Sequence, residues 1–506
     1  MKEDNVLQVY YEEKRVGILA LTADHKAAFQ YDEKWLENGF SISPFSLPLK
    51  KQVFLPTKDY FSGLFGVFAD SLPDNWGRLL LNRLLREHKQ DPDKLTVLDR
   101  LAIVGKSGMG ALTYYPERKF PEQQGNPDLD ELARECQKIL NTEYTDKLDE
   151  LYRLGGTSGG ARPKIMTSIG NEEWIIKFPA HVDGKDAGKM EYDYSCCARK
   201  CEITMSETKL FPSGICKGYF GTRRFDRVPD QNGIKRVHML TAAALLELDF
   251  EQPSLDYHSL MKLTKILTKD HYADVESMFR RMCFNVFAHN RDDHSKNFTY
   301  LYDEEKDQWR LSPAYDLTYS NTYYGEHTTT VDGNGKDPGR KELLAVGTTA
   351  GMKKNRCIEI IDEIEKRNGD DEDNIIVTHD SVRPFVTLRI IGENVEMAKE
   401  CGAVDTVISA VDTIVVSEDG EKITSIPDRR QMFQGQTPQT FKISKLKELY
   451  NDLSDDEKEI LTDACKICVV RNVPVRLVKG EVSNMKITTI DDMKAATALI
   501  MEDIKC

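Results

Sequence analysis

The chain has 506 residues, a formal net charge of −14 and 40% hydrophobic residues, the make-up of a globular protein with several domains, each long enough to bury a core. Its acidic balance argues against broad, sequence-independent binding to nucleic acid or an anionic membrane surface, leaving room only for a local basic patch. No apolar run reaches bilayer-spanning length, and MKEDNVLQVYYEEKRVG lacks a basic segment followed by an apolar core, so a cytoplasmic protein with no membrane partner is expected.

Residues 1–120 open with alternating segments (VLQVYY, RVGILAL, AAFQY) that predict strands, followed by FGVFADSLPDNWGRLLLNRLL, whose apolar residues recur at helical spacing with Asp74 placed as an N-cap. The glycines of IVGKSGMGALTYY lack the full phosphate-loop arrangement and read as a turn before a strand. Residues 120–150 read as a charged helical connector. The cysteines cluster only at Cys196, Cys197 and Cys201 and at Cys465 and Cys468, without zinc-finger spacing, and are expected to be reduced.

The stretch LGGTSGGARPKIMTSIGNEEWIIKFP (154–179) predicts a glycine loop, a strand, a turn and a second strand carrying Lys177. Such a loop lets backbone N–H groups approach phosphates, and a neighbouring lysine neutralises them; a flexible linker with a surface lysine is the plain alternative. Glu191, in a helical segment, is the nearest candidate partner for Lys177. In YFGTRRFDRV the backbone of Arg223, Arg224 and Phe225 could meet an adenine edge, or the segment is an ordinary basic connector. AHNRDDHSKNFTYLYDEEKDQWRLSPAYD then predicts helix end, polar loop and hairpin. An aspartate (Asp292), an asparagine five residues on (Asn297) and an aspartate beyond a hairpin (Asp316) follow the protein-kinase spacing of a base and two Mg2+ ligands, against the alternative of ordinary turn residues.

From about residue 350 strands and helices alternate: NIIVTHD, a helix near 388–401, AVDTVISAV, IVVSEDGEKIT and a helix near 442–450. This predicts an α/β layer with ligands at strand C-terminal ends, where THDSVRPF sets Asp380 and Arg383 within reach of a metal and phosphates; a polar turn is the alternative.

The motifs GGARPK, IIKFP, RRFDR, NRDDHSKNF and SPAYDL, with FADSLPDNWGRLLL upstream, resemble the HipA family of bacterial serine/threonine kinases over about residues 1–350. The resemblance implies an α+β, two-lobed protein-kinase-like fold (121–350) behind a small β-rich N-terminal domain (1–120), using ATP and Mg2+. By position, Gly159, Gly160, Ala161, Arg162, Pro163 and Lys164 would line the ATP phosphates and Lys177 would bind them, while Arg223, Arg224 and Phe225 would form the adenine hinge. Asp292 would accept the proton; His294, Ser295, Lys296 and Asn297 would contact nucleotide; Asp316 would ligate magnesium. Thr157 or Ser158 would be the autophosphorylated hydroxyl. The family's acidic hinge residue is replaced by Arg223, which leaves backbone contacts to hold adenine. Implied partners are a protein substrate, such as an aminoacyl-tRNA synthetase, and a helix-turn-helix antitoxin, through which alone DNA would be met.

THDSVRPF, DTIV, DRRQMFQGQTPQTF, LTDACKI and NMKITTIDDM resemble the C-terminal part of ribitol-phosphate and methylerythritol-phosphate cytidylyltransferases. An incomplete Rossmann-like nucleotidyltransferase segment over 368–506, after a junction at 351–367, is the expectation. By position Asp380 would hold a metal, and Arg429 and Lys486 would grip the polyol phosphate that receives CMP from CTP; the glycine-rich CTP loop of that family does not precede residue 365 in register. A kinase is therefore the leading reading, with a cytidylyltransferase and a non-catalytic antitoxin-binding co-repressor as alternatives.

Overall fold

Alternation builds the opening sheet: in Val6–Tyr11 (β1), Leu7, Val9 and Tyr11 turn inward and are buried. The computed structural model describes residues 6–503 except 119–127, 158, 181–182, 232, 250–251, 253, 270, 321, 323–324, 370–373, 455–456, 459–460 and 462. It divides into two units, Met1–Asn368 and Gly369–Cys506. β1 lies between Lys14–Leu21 (β2) and Leu112–Tyr115 (β5) in an antiparallel sheet completed by Ala27–Tyr31 (β3) and Val53–Phe54 (β4).

The helix Asn75–Glu87 forms from the predicted apolar spacing and buries Trp76, Leu80, Leu81, Leu84 and Leu85. That face packs not on the first sheet but on Leu132, Ile165, Trp174, Ile176, Phe178 and Tyr219. Each such side chain contributes about 1.5–3 kcal/mol when fully buried, so the N-terminal segment is bound firmly to the strands around the glycine loop. Asp74 occupies the N-cap position with extended backbone, but its carboxylate makes no cap hydrogen bond, a departure from the sequence expectation.

Those strands are Lys164–Ile169 (β6), Glu172–Lys177 (β7), Thr208–Phe211 (β8) and Tyr219–Arg223 (β9), ordered β6-β7-β9-β8 and antiparallel throughout. Gly170, at φ +64°, makes the tight turn between β6 and β7 and fixes a register that pairs Lys164 with Lys177. A hairpin of Arg227–Asp230 (β10) and Gly233–Arg236 (β11) follows, then the sheet of Met239–Thr241 (β12), Thr299–Asp303 (β13) and Gln308–Leu311 (β14). Helices Tyr257–Leu267, Tyr272–Phe287, Arg340–Thr349 and Lys354–Gly369 share one core with the first sheet. Residues 351–367, a junction by sequence, thus supply a packed helix to the first unit. None of the helices among the described residues is long and apolar enough to cross a membrane.

Asp70 accepts the backbone N–H and the hydroxyl of Thr241 at 2.8 and 2.9 Å, and desolvation pushes its pKa up to about 6 despite those bonds. With the folded value above the ordinary 3.8, the folded state holds the extra proton between the two, so this contribution to stability is full below pH 4 and is lost as pH rises through about 6. Melting temperatures between pH 5 and 7.5 should therefore show wild type losing ground to Asp70→Asn as pH rises; a pH-independent difference would contradict the assignment.

In the second unit, Ile375–Thr378 (β15), Ala403–Ser409 (β16), Phe433–Lys442 (β17) and Arg476–Lys479 (β18) form one sheet ordered β15-β17-β16-β18. β17 runs antiparallel to both β15 and β16, and β18 parallel to β16. The expected β–helix–β alternation is present as β15, helix Leu388–Cys401 and β16, capped by Thr387 and by Gly402 at φ +84°. IVVSEDGEKIT, read as a strand, instead carries a turn and one isolated bridge, Val416 to Ser425. Its Val415, Val416 and Ile423 are exposed, so no packed face holds it extended.

Candidate functional site

Lys177 ends β7, and its ammonium lies between two carboxylates. Glu191, from helix Ala187–Lys200, accepts from Nζ at 2.6 Å, and Asp316 forms a close ion pair with the same nitrogen. Lys177 and Glu191 are largely shielded from solvent, while Asp316 keeps about a third of its side chain exposed. For Lys177 burial opposes the charge, but Asp316 and Glu191 outweigh it and hold the ammonium above its usual range. Burial likewise opposes ionisation of Asp316, yet Lys177 and then Lys164 keep its carboxyl well below the usual carboxylate range. Glu191 is shifted the other way, since burial outweighs the help of Lys177. Asp316 adopts φ +57°, a conformation that few side chains other than Asn and Asp tolerate.

Across the register from Lys177, Lys164 is pushed down to about 8, first by burial and then by repulsion from Lys177. Its Nζ donates to the carbonyl of Gly159 at 2.5 Å, folding the glycine loop onto β6. Gly160 requires glycine: its φ is +84°, and a Cβ there would stand 2.6 Å from that Nζ. Pro163 accepts from the Phe178 backbone at 2.8 Å, and Arg162 reaches Asp183 at 3.0 Å. Thr157 is buried with its hydroxyl donating to the carbonyl of Ser107 at 2.9 Å; Ser158 lies outside the described residues, and Ala161 belongs to the bend preceding β6.

The polar loop after helix Tyr272–Phe287 treats its two adjacent aspartates oppositely. Asp293 is buried, accepting from Tyr257 at 2.9 Å and the Thr329 backbone at 3.0 Å, with His327 Nδ1 at 3.1 Å. Asp292 stays accessible to solvent in a crowded setting, and desolvation, with the nearby charges of Asp316 and Asp293, raises its pKa against the pull of His294. Asn297 closes the loop by donating its amide to the Asp292 carbonyl at 2.7 Å, which leaves the side-chain oxygen as the atom free to act as a hard ligand. His294 accepts the Lys296 backbone N–H at 3.3 Å at the head of the short turn Ser295–Asn297, whose Ser295 is buried. Lys296 pairs with Asp74. Asp293 and Asp74 fall within NRDDHSKNF and FADSLPDNWGRLLL, but the sequence gives Asp293 no role and marks Asp74 only as a helix cap.

At the hinge position the Arg223 N–H donates to Glu207 and the Arg224 N–H to Glu173, so these two donors are committed within the sheet. Their side chains are paired as well, Arg223 with Glu172 and Arg224 with buried Asp226, both at 2.8 Å. Phe225 faces Tyr315 with ring centres 5.5 Å apart. Magnesium takes hard oxygen ligands and keeps several waters; an ionised Asp316 with over a third of its side chain exposed and an amide oxygen at Asn297 fit that demand.

In the second unit Asp380 lies 3.2 Å from Arg383 and 3.4 Å from Lys486, while Arg429 sits on the turn Arg429–Gln431 and donates to the Val411 carbonyl at 2.9 Å. Two cations already flank Asp380, and among the described residues no group of three His, Cys, Asp or Glu gathers as metal ligands.

Residues 7–115 match the HipA N-terminal domain, and residues 156–370 match the HipA-like C-terminal domain. These two stretches belong to the HipA family. HipA of Shewanella oneidensis MR-1, solved in complex with HipB and operator DNA, is similar at a TM-score of 0.56 over 72% of this chain and 88% of that one, with 19% identity. That likeness shows the HipA fold. Residues 354–502 match the 2-C-methyl-D-erythritol 4-phosphate cytidylyltransferase family. The enzyme of that name from Thermus thermophilus is 31% identical over 25% of this chain and 61% of its own, at a TM-score of 0.23. The corresponding synthase of Anaerococcus prevotii is 27% identical over 26% and 59%, at 0.24. The chain thus spans about three fifths of the length of these cytidylyltransferases. The HipA match and the cytidylyltransferase match overlap on 354–370, the helix Lys354–Gly369.

Proposed function

We propose that the HipA-family part is a two-lobed, ATP- and Mg2+-dependent serine/threonine protein kinase that phosphorylates a protein hydroxyl and its own glycine loop at Thr157 or Ser158. The observation that carries this reading is Lys177 held between Glu191 and Asp316, beside a loop in which Lys164 braces the glycines. Phosphoryl transfer needs positioning and charge neutralisation more than covalent chemistry. Lys177 and Lys164 supply positive charge for the phosphates, Gly159 to Lys164 supply close backbone approach, and Asp292 orients the acceptor hydroxyl and takes its proton. A raised pKa suits that base, since it stays accessible while Asp293 bears the structural load. Magnesium held by Asn297 and Asp316 would neutralise charge on the phosphates. Adenine contacts fall to the Arg223 and Arg224 carbonyls and to Phe225, because the first two N–H groups are already committed. The fold shared with a HipA solved beside HipB and operator DNA supports a helix-turn-helix antitoxin as partner, with DNA met through it.

Incubated with Mg-ATP, the full chain should gain one phosphate in the peptide bearing Thr157 and Ser158, or transfer it to a protein substrate, by mass spectrometry. Because the Thr157 hydroxyl is docked on Ser107, modification there requires the loop to leave that contact. ATP binding without any transfer, together with tight antitoxin binding, would replace this reading with that of a co-repressor. For the second unit, CMP transfer from CTP to a polyol phosphate is the alternative reading, which the lack of a glycine-rich CTP loop in register before residue 365 opposes.

A further inference from the structure

Asp74 lies in the N-terminal segment, at the head of helix Asn75–Glu87, yet neither carboxylate oxygen serves that helix. Oδ2 accepts the backbone N–H of Gly160 at 3.0 Å, and Oδ1 pairs with Nζ of Lys296. One side chain therefore ties the glycine loop to the polar loop, the two segments between which the phosphate chain would lie. Only 16% of the Asp74 side chain and 18% of that of Lys296 reach solvent, so the pair is screened less than a surface ion pair.

The platform under Asp74 is fixed. Trp76, 1% exposed, donates its backbone N–H to the Gly160 carbonyl and its indole N–H to the Lys164 carbonyl, each at 3.2 Å. Gly77 approaches so closely that a Cβ there would lie 2.5 Å from the Gly156 carbonyl oxygen. The same segment of chain thus grips the loop at Gly156, Gly160 and Lys164, and Asp74 extends the grip to Lys296.

We propose that Asp74 is a positioning residue for phosphoryl transfer: it sets the separation and orientation of the glycine loop and the Asp292 loop by holding Gly160 and Lys296 at once. The inference rests on the kinase reading above. It makes the N-terminal segment part of the catalytic geometry without touching substrate. A misplacement of about 1 Å in such a site can cost a factor of about 100.

The test is the initial rate of autophosphorylation of the full chain against Mg-ATP concentration. Asp74→Ala should lower kcat by about 10- to 100-fold while the KM for ATP and the melting temperature stay close to wild type. Asp74→Asn, which keeps an acceptor for the Gly160 N–H but loses the charge that Lys296 meets, should recover part of the loss. A purely structural role would lower stability and active fraction and leave KM and the kcat of folded enzyme unmoved. Should Asp74→Ala not fold, the double-mutant cycle of Asp74→Asn with Lys296→Gln decides: the two losses must fail to add, and additive losses overturn the proposal. An active wild type with unaltered kcat in Asp74→Ala overturns this inference alone. A wild type that transfers no phosphate overturns the kinase reading and this inference with it.

Discussion

Replacing Asp292 by alanine should abolish phosphate transfer, lowering kcat by about 10^3-fold or more, with ATP binding and thermal stability nearly unchanged. The expectation follows from the division of labour in the Asp292–Asp293 doublet. Asp293 is buried and bonds Tyr257 and Thr329, whereas the hydrogen bond closing the loop at Asp292 uses its backbone carbonyl, which alanine retains. The raised pKa of Asp292 adds a second readout. The base must be ionised, so activity in wild type should fall on acidification at a pH above the ordinary carboxylate range. Near-normal transfer by Asp292→Ala would remove Asp292 as the base.

The second large effect is expected for Asp316→Asn. The amide keeps the shape but loses the charge that Lys177 and Lys164 hold in its ionised form, and with it the harder metal ligand. The loss of kcat/KM for Mg-ATP should be about 10^3-fold, roughly 4 kcal/mol of transition-state stabilisation. Lys177 keeps Glu191 as a partner, so the fold should survive. A loss below about tenfold would count against the metal role, since a group that only balances the lysine charge is partly replaced by Glu191.

What the sequence made legible was local chemistry in order: a glycine loop, a strand lysine, a polar loop and an aspartate past a hairpin. Lys177, Glu191 and Asp316 meet because the β6–β7 turn, helix Ala187–Lys200 and the β13–β14 hairpin each form from patterns readable within a few residues. Contacts between distant segments were not legible. Asp74 carries every mark of a helix cap, and only the packing of Trp76 and its helix against β6 and β7 turns the carboxylate toward partners 86 and 222 residues away. The Asp292–Asp293 doublet gave no sign of which member would be locked, because His327 and Thr329 come from a later loop. The valines of 411–416 have strand propensity, but propensity without a neighbouring strand or a buried face does not make one.

The helix Lys354–Gly369 has a practical bearing on how the gene product is handled. Claimed by both family matches, it physically seals the HipA-family part: Cys357, Ile360, Ile361 and Ile364 plug its interior, and Arg356 clamps Glu276 at 2.6 Å. Severing the polypeptide ahead of residue 354, as an alignment to the cytidylyltransferases invites, would leave an open apolar wound in one product and graft a stray amphipathic rod onto the other. The two compact units divide after Asn368, downstream of these packed residues.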